Sequence, residues 1–219
     1  MMHQSIFKKA ALAFAAAGLM ASASAHADSL LLDQDQNTLM AFNVSVGGTT
    51  HSVDTGVFNV VNQTTNSGFV AFCYELLQGV SVDAVTTGLE FVAGSTVPAA
   101  VQTLFNQTFS QVHLNNAAEV AGFQIALWEA LDDGDLQTGN LQGWAGKNGA
   151  VGESEALDNA WIYLQTLAGG DPATASYKLT TWSNGTSQDL IEAKIPEPTT
   201  LALGALGLAG LSVVRRRKS

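Results

Sequence analysis

The chain has 219 residues, 47% of them apolar and 13% charged, with 19 Asp and Glu against 9 Lys and Arg. That balance excludes a disordered polyelectrolyte, the formal charge of −10 argues against a nucleic-acid partner, and a single cysteine excludes an intrachain disulfide. Six of the basic residues lie in the two ends, so residues 28–195 keep only Lys147, Lys178 and Lys194 against eighteen carboxylates, a formal charge of −15 that suits solubility outside the cell.

Residues 1–27 have the three parts of a secretory signal: Lys8 and Lys9, an apolar core from Ala10 to Met20, and the small-residue site Ala25-His26-Ala27. Eleven apolar residues are too few to span a bilayer, so the segment reads as cleaved rather than retained. Removal by signal peptidase after Ala27 starts the mature chain at Asp28. The 168 residues from 28 to 195 suit one acidic extracytoplasmic domain with its own core.

From Leu30 to about Val92 short apolar or alternating runs, broken by Gly47-Gly48 and Asn66-Ser67-Gly68, predict strands. Phe69 to Tyr74 is nearly continuous in apolar residues, as in a strand covered on both faces, and it contains the only cysteine, Cys73. Helices follow over Pro98–Phe109, Ala117–Leu131 and Glu153–Ala168. Asn116 is the predicted N-cap of the second, with Glu119 three residues on. Its spacing puts Ala117, Ala121, Gln124, Trp128 and Leu131 on one face, while Leu157, Trp161, Leu164 and Ala168 form the stripe of the third. Strands return over Ser176–Trp182 and Thr186–Ile195, flanking the turn signal Asn184-Gly185. The pattern gives an α+β class: a β-rich sandwich or barrel-like sheet with an inserted segment of about three helices.

The tail carries Pro196-Glu197-Pro198, sixteen uncharged residues from Thr199 to Val214, and the basic run Arg215-Arg216-Arg217-Lys218. Sixteen residues reach roughly 24 Å as a helix against a hydrocarbon core of about 30 Å, a span that needs snorkelling arginines or a thinned bilayer. The basic run acts as a stop that stays cytoplasmic, placing everything before Pro196 on the far side, in agreement with the signal peptide. These three parts in order resemble the PEP-CTERM sorting signal of Gram-negative bacteria. The resemblance implies a single membrane helix at 199–214 and recognition by an exosortase that cuts near Pro196-Glu197-Pro198. The domain then reaches the cell envelope or an exopolysaccharide matrix.

Cys73 and Gln124 are the conspicuous pair in the domain. A lone thiol in an exported chain is either a shielded small hydrophobe or a reactive group. A carboxamide on an apolar helix face costs about 1–3 kcal/mol unless something satisfies it, whether a backbone hydrogen bond or reaction with the thiol. Phe72-Cys73-Tyr74-Glu75 and Phe123-Gln124-Ile125-Ala126-Leu127-Trp128 resemble the two motifs of bacterial surface thioester domains, with Phe123 in place of the family's threonine. That resemblance implies an intramolecular thioester between Cys73 and Gln124, supported by Glu75 and Trp128, and adhesion by covalent capture of a surface protein or polysaccharide nucleophile. Glu75 also reads simply as an exposed strand end. The alternative function is a non-catalytic structural or glycan-binding matrix protein with an inert cysteine.

No enzyme active site and no cofactor are expected. His51 and His113 stand far apart without flanking ligand patterns and read as surface residues. Asp132-Asp133-Gly134-Asp135 begins like a calcium loop but lacks the downstream glutamate of an EF-hand, and reads mainly as an acidic loop after a helix. Trp128 and Trp161 read as core residues rather than sugar-stacking platforms.

Overall fold

In a computed structural model of the chain, residues 27–147, 152–170 and 176–195 are described. The predicted signal peptide up to residue 26 and the tail from residue 196, including the membrane segment and basic stop, lie outside the described residues. Among the described residues no helix is long and apolar enough to cross a membrane.

Strand-forming runs in the first half become β1 (Ala27–Gln34), β2 (Met40–Val46), β3 (Thr49–Thr55), β4 (Val57–Asn62) and β5 (Ser67–Cys73). A short helix, α1 (Val82–Thr86), precedes β6 (Leu89–Gly94). The helical region gives α2 (Ala99–Thr108), α3 (Ala117–Asp132) and α4 (Glu153–Gln165), with β7 (Leu141–Gly146) between the last two. The chain closes on β8 (Lys178–Asn184) and β9 (Ser187–Lys194).

Six strands close a barrel in the order β1-β4-β5-β9-β8-β6, each neighbour antiparallel, while β3-β2-β7 make a separate three-stranded sheet. The barrel-like alternative of the sequence reading is therefore the one adopted, and the sandwich is not. Closure removes the edges that an open six-stranded sheet would expose. Alternation builds the core: Leu30 and Leu32 of β1 and Phe42 and Val44 of β2 are buried while their neighbours are less so. Gly47 and Gly48, with φ of 56° and 86°, form the two-residue turn joining β2 to β3, a conformation that nearly demands glycine at both positions.

The three predicted helices fall where the periodicity placed them, to within a few residues, and the third ends in a turn of 3-10 helix over Thr166–Ala168. Asn116 caps α3 as expected, its side chain accepting from the N–H groups of Ala118 and Glu119. α1 and β7 were not foreseen. α1 is a single turn capped by Ser81, and β7 carries two glycines and forms by pairing with β2, a tertiary contact without a strong local signal.

Two further corrections concern helix faces. α3 is not amphipathic in the expected sense, because every residue from Val120 to Ala130 is buried. It packs on α2 and α4 and also reaches β2 and β3. Of the predicted stripe, α4 buries Leu164 and packs Leu157 partly against the core, but its other buried residues are Ala156, Ala160 and Tyr163, and Trp161 is left 56% exposed. The cause is the closeness of the two helices. A Cβ on Gly122 of α3 would lie 2.6 Å from Asn159 Cβ and 2.7 Å from the Ala156 carbonyl oxygen, so the contact selects the small face of α4.

Candidate functional site

Cys73 is the last residue of β5. The next residue, Tyr74, donates its N–H to the Asp189 carbonyl at 2.7 Å. Backbone groups alternate sides along a strand, so those of Cys73 face away from β9, toward β4. β4 begins at Val57, opposite Phe72, and offers Cys73 no partner. Gln124, from the second turn of the buried α3, fills that place. Its Oε1 accepts from the Cys73 N–H at 2.9 Å and its Nε2 donates to the Cys73 carbonyl at 2.8 Å.

The side-chain amide thus acts as one residue of a missing strand. It is fully buried, and both its oxygen and its nitrogen are satisfied by the backbone of the residue that carries the thiol. This answers the cost of placing a carboxamide in the core without any covalent step. It also fixes the carboxamide against Cys73 with its oxygen on an N–H donor.

Cys73 is 6% exposed and belongs to the core cluster with Phe58, Ile125 and Trp128. Burial, helped by the negative charge of Asp54, pushes its thiol up to about 12. The residue nevertheless lines a cavity of about 350 Å³, shared with Trp128, with His51 and Asp54 of β3, and with Gln78 and Gln188. Phe72 and Phe123, the residues just before the cysteine and the glutamine, are buried with ring centroids 4.9 Å apart, a hydrocarbon wall behind the pair.

Of the predicted supporting residues, Trp128 lines this cavity. Its indole stacks on Trp144 at 6.1 Å and its Nε1–H has no partner among the described residues. The Glu75 side chain is exposed and lines a different, shallower groove with Gln78 and Asp189. Burial and Asp189 raise its carboxyl above the ordinary range. Only its backbone carbonyl approaches the cavity wall, by accepting from Gln188. His113 is a surface residue, paired with Glu119 at 2.8 Å. His51 is not: it is half-buried and sits on the cavity. Sequence reasoning missed His51 and Asp54 because only the folding of β3 beside α3 brings them near Cys73; their one local signal was alternation in a short strand.

The acidic run at the end of α3 divides its side chains. Carboxylate oxygens of Glu129, Asp132 and Asp133 lie within 4.8 Å of one another. Asp135 instead caps its own turn, accepting from the Gln137 N–H. Glu129 is fully buried; its Oε1 accepts from Trp144 Nε1 and its Oε2 has no partner among the described residues. Burial, followed by the charges of Asp133, Asp132 and Asp135, pushes its carboxyl up to about 8 against the opposing pull of the Trp144 hydrogen bond.

A family model described as the PEP-CTERM protein-sorting motif matches residues 194–218. The motif marks the chain as an exported protein sorted by exosortase, anchored in the membrane before processing. No curated protein and no solved structure matches the chain.

Proposed function

We propose that the sorted protein attaches covalently to a surface partner in the envelope or matrix through a thioester between Cys73 Sγ and Gln124 Cδ. The observation that carries this reading is the double hydrogen bond of the Gln124 carboxamide to the backbone of Cys73, beside a cavity onto which Cys73 itself opens.

The step balances as follows. Sγ bonds to Cδ, the Cδ–Nε2 bond breaks, and the thiol proton leaves with the amide nitrogen as ammonia. Negative charge develops on Oε1 during attack, and the Cys73 N–H already points at that atom, as an oxyanion-hole donor does. A thiol pushed up to about 12 is a poor nucleophile by itself, so its proton must be taken up as the bond forms. His51 and Asp54 on the cavity wall are the groups suited to carry it. In the second step an amine or hydroxyl of the partner enters the cavity and attacks Cδ. An amide or ester forms, and Cys73 leaves as the thiol. Phe72 and Phe123 exclude water from the rear of the bond.

Intact mass of the secreted protein tests the reading. Loss of one ammonia in the wild type, its absence in Cys73→Ala, and addition of one methylamine on exposure to that amine are the expected results. A wild-type mass equal to that of the unreacted chain overturns the proposal and leaves a structural matrix protein with a shielded cysteine.

A further inference from the structure

The C-terminal end of α3 concentrates negative charge without a basic partner among the described residues. A helix C-terminus carries the negative end of the macrodipole and favours cations. Here Glu129, Asp132 and Asp133 occupy it, with no basic residue in the last turn. The two ion pairs among the described residues, His113–Glu119 and Lys194–Glu192, lie elsewhere. A carboxylate is buried only when paired, protonated or bound to metal, and the Glu129 Oε2 is buried with no partner among the described residues.

We infer that Glu129, Asp132 and Asp133 hold a hard divalent cation of the calcium type that stabilises the α3–β7 connection. The three carboxylates each place an oxygen within 4.8 Å of the others, close enough to share one ion. All the donors are carboxylate oxygens, with no sulfur or imidazole to favour zinc.

The other contacts of the aspartates leave room for an ion. Asp132 Oδ1 accepts from Asn140 Nδ2 and its Oδ2 from the N–H groups of Asn140 and Leu141. Asp133 Oδ1 accepts from the Asp135 N–H and its Oδ2 from the Thr138 hydroxyl. A carboxylate offers about four lone-pair sites, so both keep acceptor capacity. The same bonds fold residues 134–140 back over the carboxylates, so that a Cβ on Gly139 would fall 2.3 Å from Asp132 Oδ2. This site is separate from Cys73 and does not depend on the thioester.

Terbium and calcium titrations of the EDTA-stripped secreted protein test the inference, with Trp144, bonded to Glu129, as the antenna for terbium emission. We expect indole-sensitised emission that calcium displaces. A rise in Tm should saturate with a midpoint of about 10⁻⁴–10⁻³ M calcium, the range of extracellular modules. Glu129→Gln should lose both responses. Asp133→Asn, at an exposed position that leaves the core intact, should raise the midpoint about tenfold and decides the matter if the first variant fails to fold. Cys73→Ala should bind as the wild type does. Absence of emission and of a calcium shift overturns the inference. So does an Asp133→Asn midpoint equal to that of the wild type, or a shift reproduced by sodium chloride at matched ionic strength.

Discussion

At the end of β5 a helix side chain does the work of a neighbouring strand, and that substitution has a measurable cost if undone. In a Cys73→Ala background, where no thioester can form, Gln124→Met keeps the volume but leaves the N–H and carbonyl of residue 73 buried without partners. At about 1–3 kcal/mol for each group, less relaxation, we expect a loss of about 2–4 kcal/mol in a denaturant titration. A loss below 1 kcal/mol would mean that water or backbone readily replaces the amide. The free thiol makes its own signature. Burial holds the folded pKa of Cys73 near 12, whereas the exposed thiol titrates near 9.0. Above pH 9 the unfolded chain therefore binds fewer protons than the folded one, and stability falls as pH rises through that window, by up to about 1.4 kcal/mol per unit. After methylamine has opened the bond, the wild type should show this extra slope between pH 9 and 12 relative to Cys73→Ala. With the thioester intact there is no thiol to titrate, and the two proteins should run parallel.

α3 and α4 approach so closely that the usual rule for glycine reverses. In an exposed helix, replacing glycine by alanine stabilises by about 1 kcal/mol. At Gly122 the added methyl meets Asn159 Cβ, the Ala156 carbonyl oxygen and the Ala160 nitrogen, all at 3.0 Å or less. Gly122→Ala should then destabilise by about 1–3 kcal/mol, lowering the urea midpoint with little change in slope; an unchanged or raised midpoint would show that the helices separate at no cost. This contact also explains what was legible beforehand. The lengths of α2, α3 and α4 and the Asn116 cap of α3 follow from local chemistry and so were readable. The buried face of α4 was misread because Trp161 and Leu157 are larger and more apolar than Ala156 and Ala160, whereas a close crossing rewards small size. Cys73 and Gln124 were readable as candidates from motif and periodicity. The presence of His51 and Asp54 on the same cavity was not, since it depends on how the β3-β2-β7 sheet sits beside α3.

At the scale of the molecule, the strand register relates the cavity to the sorting tail. Cys73 pairs with Leu190, midway along β9, and β9 runs on to Lys194, where the sorting motif begins. Four residues of strand put about 14 Å between the two, so a chain tethered by its tail holds Cys73 half a strand away from the tether. The same domain bears a formal charge of −15 with only three lysines to offset it, and self-repulsion of that size works against the compact state. Screening lengths shrink from about 30 Å at 0.01 M salt to about 8 Å at 0.15 M. Raising sodium chloride across that range at pH 7 should therefore increase Tm by about 2–4 °C, equivalent to ~1 kcal/mol for a chain of this size. The gain should be alike in the wild type and in Glu129→Gln, because screening acts on the whole surface and not on one cluster. Calcium at 0.15 M sodium chloride, by contrast, should raise Tm further only in the wild type. A Tm that stays flat or falls with sodium chloride would show that the carboxylates are spread widely enough for their repulsion to be negligible, and the stabilising part of any calcium effect would then belong to the α3 terminus alone.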